Sequence, residues 1–149
     1  MRTIHTEIGI LAPAAVVWEV LTDFEGWQRW NPFMRVTGEA KPDAPLSLVI
    51  SVPKRKPVKL RPRIIHFEAG RELRWLGRGM AVPGLFDGEH GFRVVAEDTG
   101  RCRFEQFETF KGLLASAVLS RTEGAIKTGF TAMNRSLKRE AERLARERA

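Results

Sequence analysis

The clearest pattern in the chain is a helical stripe near its end. Between residues 116 and 148, Ile126, Phe130, Met133, Leu137 and Leu144 recur at spacings of four, three, four and seven, which is one face of an α-helix. Lys127, Arg135, Lys138, Arg139, Glu142, Arg143, Arg146 and Glu147 take the opposite face. A helix of that length spans roughly 50 Å. Burying its five large apolar side chains contributes on the order of 10 kcal/mol before chain entropy is subtracted. The stripe therefore needs a partner surface, and the rest of the chain supplies one in the form of strands.

Ile4, Thr6, Ile8 and Ile10 alternate with His5, Glu7 and Gly9, which predicts a first strand with one apolar face. Pro13 opens a short helix carrying Val16, Val17, Val20 and Leu21. After a turn at Glu25-Gly26, Trp27 and Trp30 share one side of a second short helix, which Asn31-Pro32 ends. Strands are predicted over 33–38, over 46–52 with Leu46, Leu48 and Ile50 on one face, and over 58–64. Lys54-Arg55-Lys56, between Pro53 and Pro57, reads as a basic hairpin tip, and Pro62 implies an edge strand or a bulge. Three further strands follow. Their like-facing sets are Leu73, Trp75 and Gly77, then His90, Phe92 and Val94, then Cys102, Phe104, Gln106, Glu108 and Phe110. Turns fall at Ala69-Gly70 and Asp98-Thr99-Gly100, and Gly112 ends the last strand.

Sequential hairpins need no crossover, so the sheet should be antiparallel. The expectation is an α+β fold: a curved antiparallel sheet of about six to seven strands around a long C-terminal helix, with two short helices after strand 1. No linker or low-complexity tract divides it, so residues 1–149 read as a single domain. Any cavity would lie between sheet and helix. An apolar, glycine-rich loop over 79–88, containing Met80, Val82, Leu85 and Phe86, is a candidate lid. Gly124 and Gly129 inside the helix imply either close approach to the sheet or a flexible portal. Glu142 with Arg146 and Arg143 with Glu147 have the spacing of helical ion pairs.

Composition narrows the partners. The chain is 43% apolar and 29% charged, a globular balance. Its net charge of +7 would suit nucleic acid or an anionic membrane, but no zinc-finger spacing, helix-turn-helix pattern or repeat is present. A nucleic-acid partner is therefore not expected. Lys59, Arg61, Arg63, Arg74 and Arg78 are expected on the convex face of the sheet. Cys102 stands alone, which excludes an internal disulfide and suggests a reducing compartment. With no apolar run of membrane-spanning length and no signal-peptide core, a cytoplasmic location follows as the expectation. His5, His66 and His90 fall on different elements without metal-binding spacing, so neither a metal nor another cofactor is expected. An exposed edge strand would permit a homodimer.

Several stretches resemble the START-like (SRPBCC) superfamily, which includes birch-pollen-allergen-like proteins and polyketide cyclases. They are Pro13-Ala14-Ala15-Val16-Val17-Trp18, Leu21-Thr22-Asp23-Phe24, and Trp27 with Trp30-Asn31-Pro32-Phe33. Gly70-Arg71-Glu72-Leu73-Arg74-Trp75, Gly88-Glu89-His90-Gly91-Phe92 and Phe104-Glu105-Gln106-Phe107-Glu108 are similar to the same group. The resemblance implies a helix-grip architecture with a ligand cavity between bent sheet and helix. Members bind lipids, hormones, polyketides or other apolar molecules, and some are enzymes, so the fold alone does not settle function.

The alternation sends His90, Phe92, Gln106 and Glu108 to the cavity side of two neighbouring strands. Trp75 reaches it from a third, and Trp30 is placed to cap one end. Apolar walls are expected from Trp75, Phe86, Phe92, Phe104, Phe110, Phe130 and Met133. A histidine and a carboxylate in such a cavity can act as an acid–base pair. The alternative for His90, Gln106 and Glu108 is that they bond to one another and the backbone, as buried polar groups must. The leading expectation is a binder of a small, largely apolar ligand. The second is a polyketide cyclase/dehydratase-like enzyme using His90 and Glu108, and the third an interaction module with a basic sheet face.

Overall fold

In the computed structural model, which describes residues 1–79 and 84–149, the period-two segments form two antiparallel sheets. The chain opens with β1 (Arg2–Ile10), α1 (Ala14–Thr22), a 3-10 turn (Phe24–Gly26) and α2 (Trp27–Trp30). It continues with β2 (Met34–Thr37), β3 (Ser47–Ile50), β4 (Val58–Leu60), β5 (Arg63–Glu68), β6 (Glu72–Gly79), β7 (Phe86–Asp98) and β8 (Arg101–Lys111). The chain closes with α3 (Ala115–Arg148). The larger sheet runs β1-β8-β7-β6-β5 and the smaller β2-β3-β4.

Two details differ from the expectation. The described residues hold eight strands, not six to seven, because the segment read as one strand over 58–64 is two. Pro62 has no N–H to give a ladder, so β4 ends before it and β5 starts after it, in the other sheet. The Pro62 carbonyl instead accepts from Leu46 N at 2.8 Å, and Ile64 N donates to the Ala44 carbonyl at 3.0 Å, so the two sheets are stitched at that corner. Of the 79–88 loop, Met80, Ala81, Val82 and Pro83 lie outside the described residues. Phe86 already belongs to β7, with its ring stacked on Phe110 at 5.4 Å.

The apolar stripe of α3 lies on the concave side, packed across β1, β8 and α1. Phe130 is 1% exposed, while Met133 and Leu137 are fully covered. The C-terminal end of α3 is tied down twice: Glu142 accepts from Leu11 N at 2.8 Å, and Arg148 reaches Glu19 at 2.8 Å. Glu142 takes Lys138 as its direct partner rather than Arg146, whereas Arg143 pairs with both Glu140 and Glu147. The two helix glycines separate cleanly. A Cβ on Gly129 would stand 2.2 Å from the Phe33 ring, so that glycine permits close approach; around Gly124 the space is open.

The convex face of the large sheet carries an ion network. Glu72 accepts from Arg74 and from Arg93 Nε at 2.7 Å, and Arg93 also reaches Glu105 at 3.2 Å. Arg93 and Arg74 lie over the Phe107 ring at 4.8 and 5.6 Å, in room that Gly91 leaves open. Arg74 is thereby committed to carboxylates. Lys59, Arg61, Arg63 and Arg78 instead line an open cleft at the seam of the two sheets.

Candidate functional site

The inward column of β6 is Leu73, Trp75, Gly77 and Gly79. Its register partners on β7 are Phe92, His90, Gly88 and Phe86. Side-chain volume therefore falls along the sheet. Leu73 against Phe92 fills the space, Trp75 against His90 nearly fills it, and Gly77 against Gly88 leaves it empty. The filled end is a solid aromatic core, in which Trp27, Trp75 and Phe92 meet at 5.1–6.3 Å. The empty end opens into a cavity of about 450 Å³.

That cavity is walled by Trp75, Phe86 and Phe110 from the large sheet, by Met34, Leu48, Ile50 and Leu60 from the small one with Phe33 just before it, and by Val118, Ala125, Ile126 and Phe130 from the first half of α3. His90 and Glu108 also line it, and Arg55, Lys56 and Lys59 stand at its exposed rim. Five residues expected at the cavity do not line it. Phe92, Phe104 and Met133 are fully buried at the solid end, Trp30 packs on Trp27 at 5.8 Å, and Gln106 sits behind His90. Alternation assigned Phe92, Phe104 and Gln106 a face; depth along the strand decides whether that face meets core or void.

The polar groups form one connected chain. The Thr6 hydroxyl donates to the Gln106 backbone carbonyl at 3.0 Å and so can only accept from Asn134 Nδ2, at 2.9 Å. Asn134 Oδ1 then faces Gln106 Nε2 at 2.7 Å, which leaves Gln106 Oε1 facing His90 Nε2 at 2.9 Å. An acceptor there requires the imidazole proton on Nε2. His90 Nδ1 lies 3.4 Å from Glu108 Oε1. In the neutral ring that tautomer leaves Nδ1 as a lone pair on the side of the carboxyl. Aromatic rings flank the imidazole, Phe92 at 4.6, Phe130 at 4.9 and Trp75 at 5.4 Å, and fix its plane.

Glu108 Oε2 lies over Gly88, where an added Cβ would approach it to 2.3 Å, and it has no protein partner among the described residues. One carboxyl oxygen therefore addresses His90 and the other is available to the cavity. Thr6, Gly88 and Asn134 were not singled out from the sequence. Asn134 carried a signal, being four residues after Phe130 and three before Leu137, hence on the buried helical face. Gly88 could be recognised only through its pairing with Gly77.

On the convex face, His5, Glu7 and Glu105 bring ligand atoms within 4.8 Å of one another. Arg93 and Arg103 already sit on Glu105 at 3.2 and 3.5 Å, so the cluster lies in a cationic setting that does not suit a metal ion.

Fold and site together define a helix-grip α+β protein with a cavity between its sheets and its C-terminal helix. The chain belongs to the polyketide cyclase / dehydrase and lipid transport family, whose model matches residues 1–147. No curated protein matches its sequence. Among solved structures it is similar to the Zhui aromatase/cyclase from Streptomyces sp. R1128, with a TM-score of 0.78 and 19% identity over 95% of this chain and 94% of that one. It is also similar to a norcoclaurine synthase from Thalictrum flavum (TM-score 0.72, 16% identity, 94% and 93% covered). The di-domain aromatase/cyclase BexL gives a TM-score of 0.75 at 14% identity over 95% of this chain and 47% of that chain. At these identities the likeness is one of fold. Among the described residues no helix is long and apolar enough to cross a membrane.

Proposed function

We propose that the protein encloses a small, largely apolar molecule in the cavity and engages one polar group of it through Glu108. The supporting observation is a void of about 450 Å³ whose interior is apolar apart from Thr122 and the Glu108–His90 pair. That volume lies within the range of roughly 300–1,000 Å³ common for small-molecule sites. Apolar burial drives binding and the carboxyl fixes orientation. An uncharged fluorescent probe such as N-phenyl-1-naphthylamine should bind and brighten. Gly77→Leu should abolish the signal, because its added atoms enter the void and the first of them meets Leu60 at an ordinary 3.7 Å. Failure of every uncharged apolar probe to bind the native protein would sink this reading.

A second reading, acid–base catalysis on the bound molecule, is favoured by the free Oε2 of a carboxyl whose other oxygen lies 3.4 Å from an imidazole nitrogen. Glu108 would take a proton from a carbon next to a carbonyl and return it to a departing hydroxyl. A C=C bond then forms and water leaves, with the pair restored. With a turned-over substrate in hand, Glu108→Gln should remove turnover while the substrate still binds. Gly88→Ala should slow turnover by displacing the carboxyl without deleting it. Undiminished turnover in Glu108→Gln would exclude this chemistry.

A further inference from the structure

The rim of the cavity is chemically unlike its interior. Arg55, Lys56 and Lys59 all line it, and all three are exposed. Among the described residues none of the three has a carboxylate within 4.0 Å, although Arg74, Arg93, Arg103 and Arg143 elsewhere each hold at least two. The three come from one short stretch, the β3–β4 connection and the strand after it, where Pro53 and Pro57 restrict the backbone and Lys54 takes a left-handed turn at φ 65°. Lys59, with Leu48 and Leu60, is also a wall of the seam cleft, whose other cations are Arg61, Arg63 and Arg78. The apolar void thus opens directly onto a positive surface. The carboxylate in its lining, Glu108, belongs to the β7–β8 wall and is paired with His90.

We infer that the ligand is an anionic amphiphile: an apolar body in the cavity and a carboxylate or phosphate at its outer end, seated on Arg55, Lys56 and Lys59. This inference rests on the cavity reading above and adds the ligand's charge and orientation. Like charges gathered without a counter-charge repel one another, and an anion delivered by the ligand relieves that repulsion. The reverse orientation would drive the anion against Glu108 and leave the rim unmatched. A basic hairpin serving solubility alone has no need to place its cations on the wall of an apolar void.

The test is displacement of N-phenyl-1-naphthylamine from the full chain by decanoate, decanol and decyltrimethylammonium, with co-sedimentation on phosphatidylglycerol vesicles as a parallel arm. At low salt, decanoate should displace the probe at about ten-fold lower concentration than decanol, three partly exposed charge contacts being worth together about one decade. Decyltrimethylammonium should be the weakest. The decanoate-to-decanol ratio should shrink as salt is raised, and should fall to about one or below in Arg55→Glu/Lys56→Glu. Native protein under a salt series serves as the control should that variant fold poorly. Equal displacement by decanoate and decanol overturns the inference while the cavity reading stands. Vesicle binding without a decanoate preference also overturns it and makes the rim a membrane contact. A protein that binds no probe at all loses both readings.

Discussion

Asn134→Leu tests the polar chain at the point where α3 reads the register of the sheet. In the native protein Asn134 is 3% exposed and joins Thr6 to Gln106. Leucine is close in size and suits a helix, so the change removes hydrogen bonds more than packing. Gln106 Nε2 would lose its 2.7 Å partner and keep only a 3.4 Å contact with the Phe130 carbonyl. Thr6 would keep its own donation to the Gln106 backbone. One buried donor left nearly unsatisfied costs about 2 kcal/mol, or roughly 4–8 °C in Tm for a chain of this size. The larger consequence is at His90. With Asn134 gone, the Gln106 amide can turn over and donate to Nε2, so the neutral imidazole can carry its proton on Nδ1, facing Glu108. The ring nitrogens of His90 in a 15N-labelled sample report this directly: native protein should show Nε2–H alone in the neutral ring, and the variant a mixture with Nδ1–H. Thr6→Val, which removes the anchor at the far end of the same chain, should move the tautomer in the same direction. An unchanged tautomer in both variants would refute the claim that donor polarity is transmitted from Thr6 to His90.

Gly124→Ala should stabilise by about 1 kcal/mol, since alanine is the better helix former and nothing lies within 4 Å. Gly129→Ala should be neutral to destabilising, because its methyl would strike the Phe33 ring; equal urea midpoints for the two would remove the close-approach account of Gly129. Burial pushes the Glu72 and Glu105 carboxyls up. Hydrogen bonds from Arg93 and Arg74 to Glu72, and from His5 to Glu105 with Arg93 and Arg103 beside it, outweigh that and hold both below their ordinary value of 4.5. Their folded-state values lie below the unfolded ones. The stabilisation is therefore full above 4.5 and lost as pH falls through the folded values. The urea midpoint should drop on acidification below that point, and by less in Glu72→Gln. Burial, with Glu97 adding to it, pushes the Cys102 thiol up to about 11, so an aromatic disulfide reagent at pH 8 should label it only as the protein unfolds; fast labelling of the native state would contradict that burial.

Much of the fold was legible because each signal was local. The stripe from Ile126 to Leu144 needs only the helical period, and the inward sets of β1, β6, β7 and β8 need only alternation. What local pattern could not supply was depth. Phe92, Phe104 and Phe110 share one face of the sheet, yet the first two are packed solid and the third borders a void. The difference lies in which residues stand opposite, and that depends on register. Pro62 is the converse case. Its missing donor was visible in the sequence, but whether it would bulge one strand or divide the chain between two sheets depended on Ala44 and Leu46 arriving from a distant segment.

The site obeys the same logic. His90, Gln106 and Glu108 are neighbours by alternation and pairing, so their meeting followed from strand register alone. The direction of their hydrogen bonds did not, because it is set by Thr6 on the far edge strand and by Asn134 on the helix, 28 residues beyond Gln106. The two readings of the polar trio, structural network and proposed proton-handling pair, therefore call on the same hydrogen bonds. A network that ends in a hydroxyl with a single proton has a fixed donor direction. That direction reaches His90 as an obligatory Nε2–H and turns Nδ1 toward Glu108. Satisfying the buried groups also fixes the ring beside the carboxyl that faces the void. The void is itself the work of Gly77 and Gly88, the paired positions at which the chain declines to fill its own core.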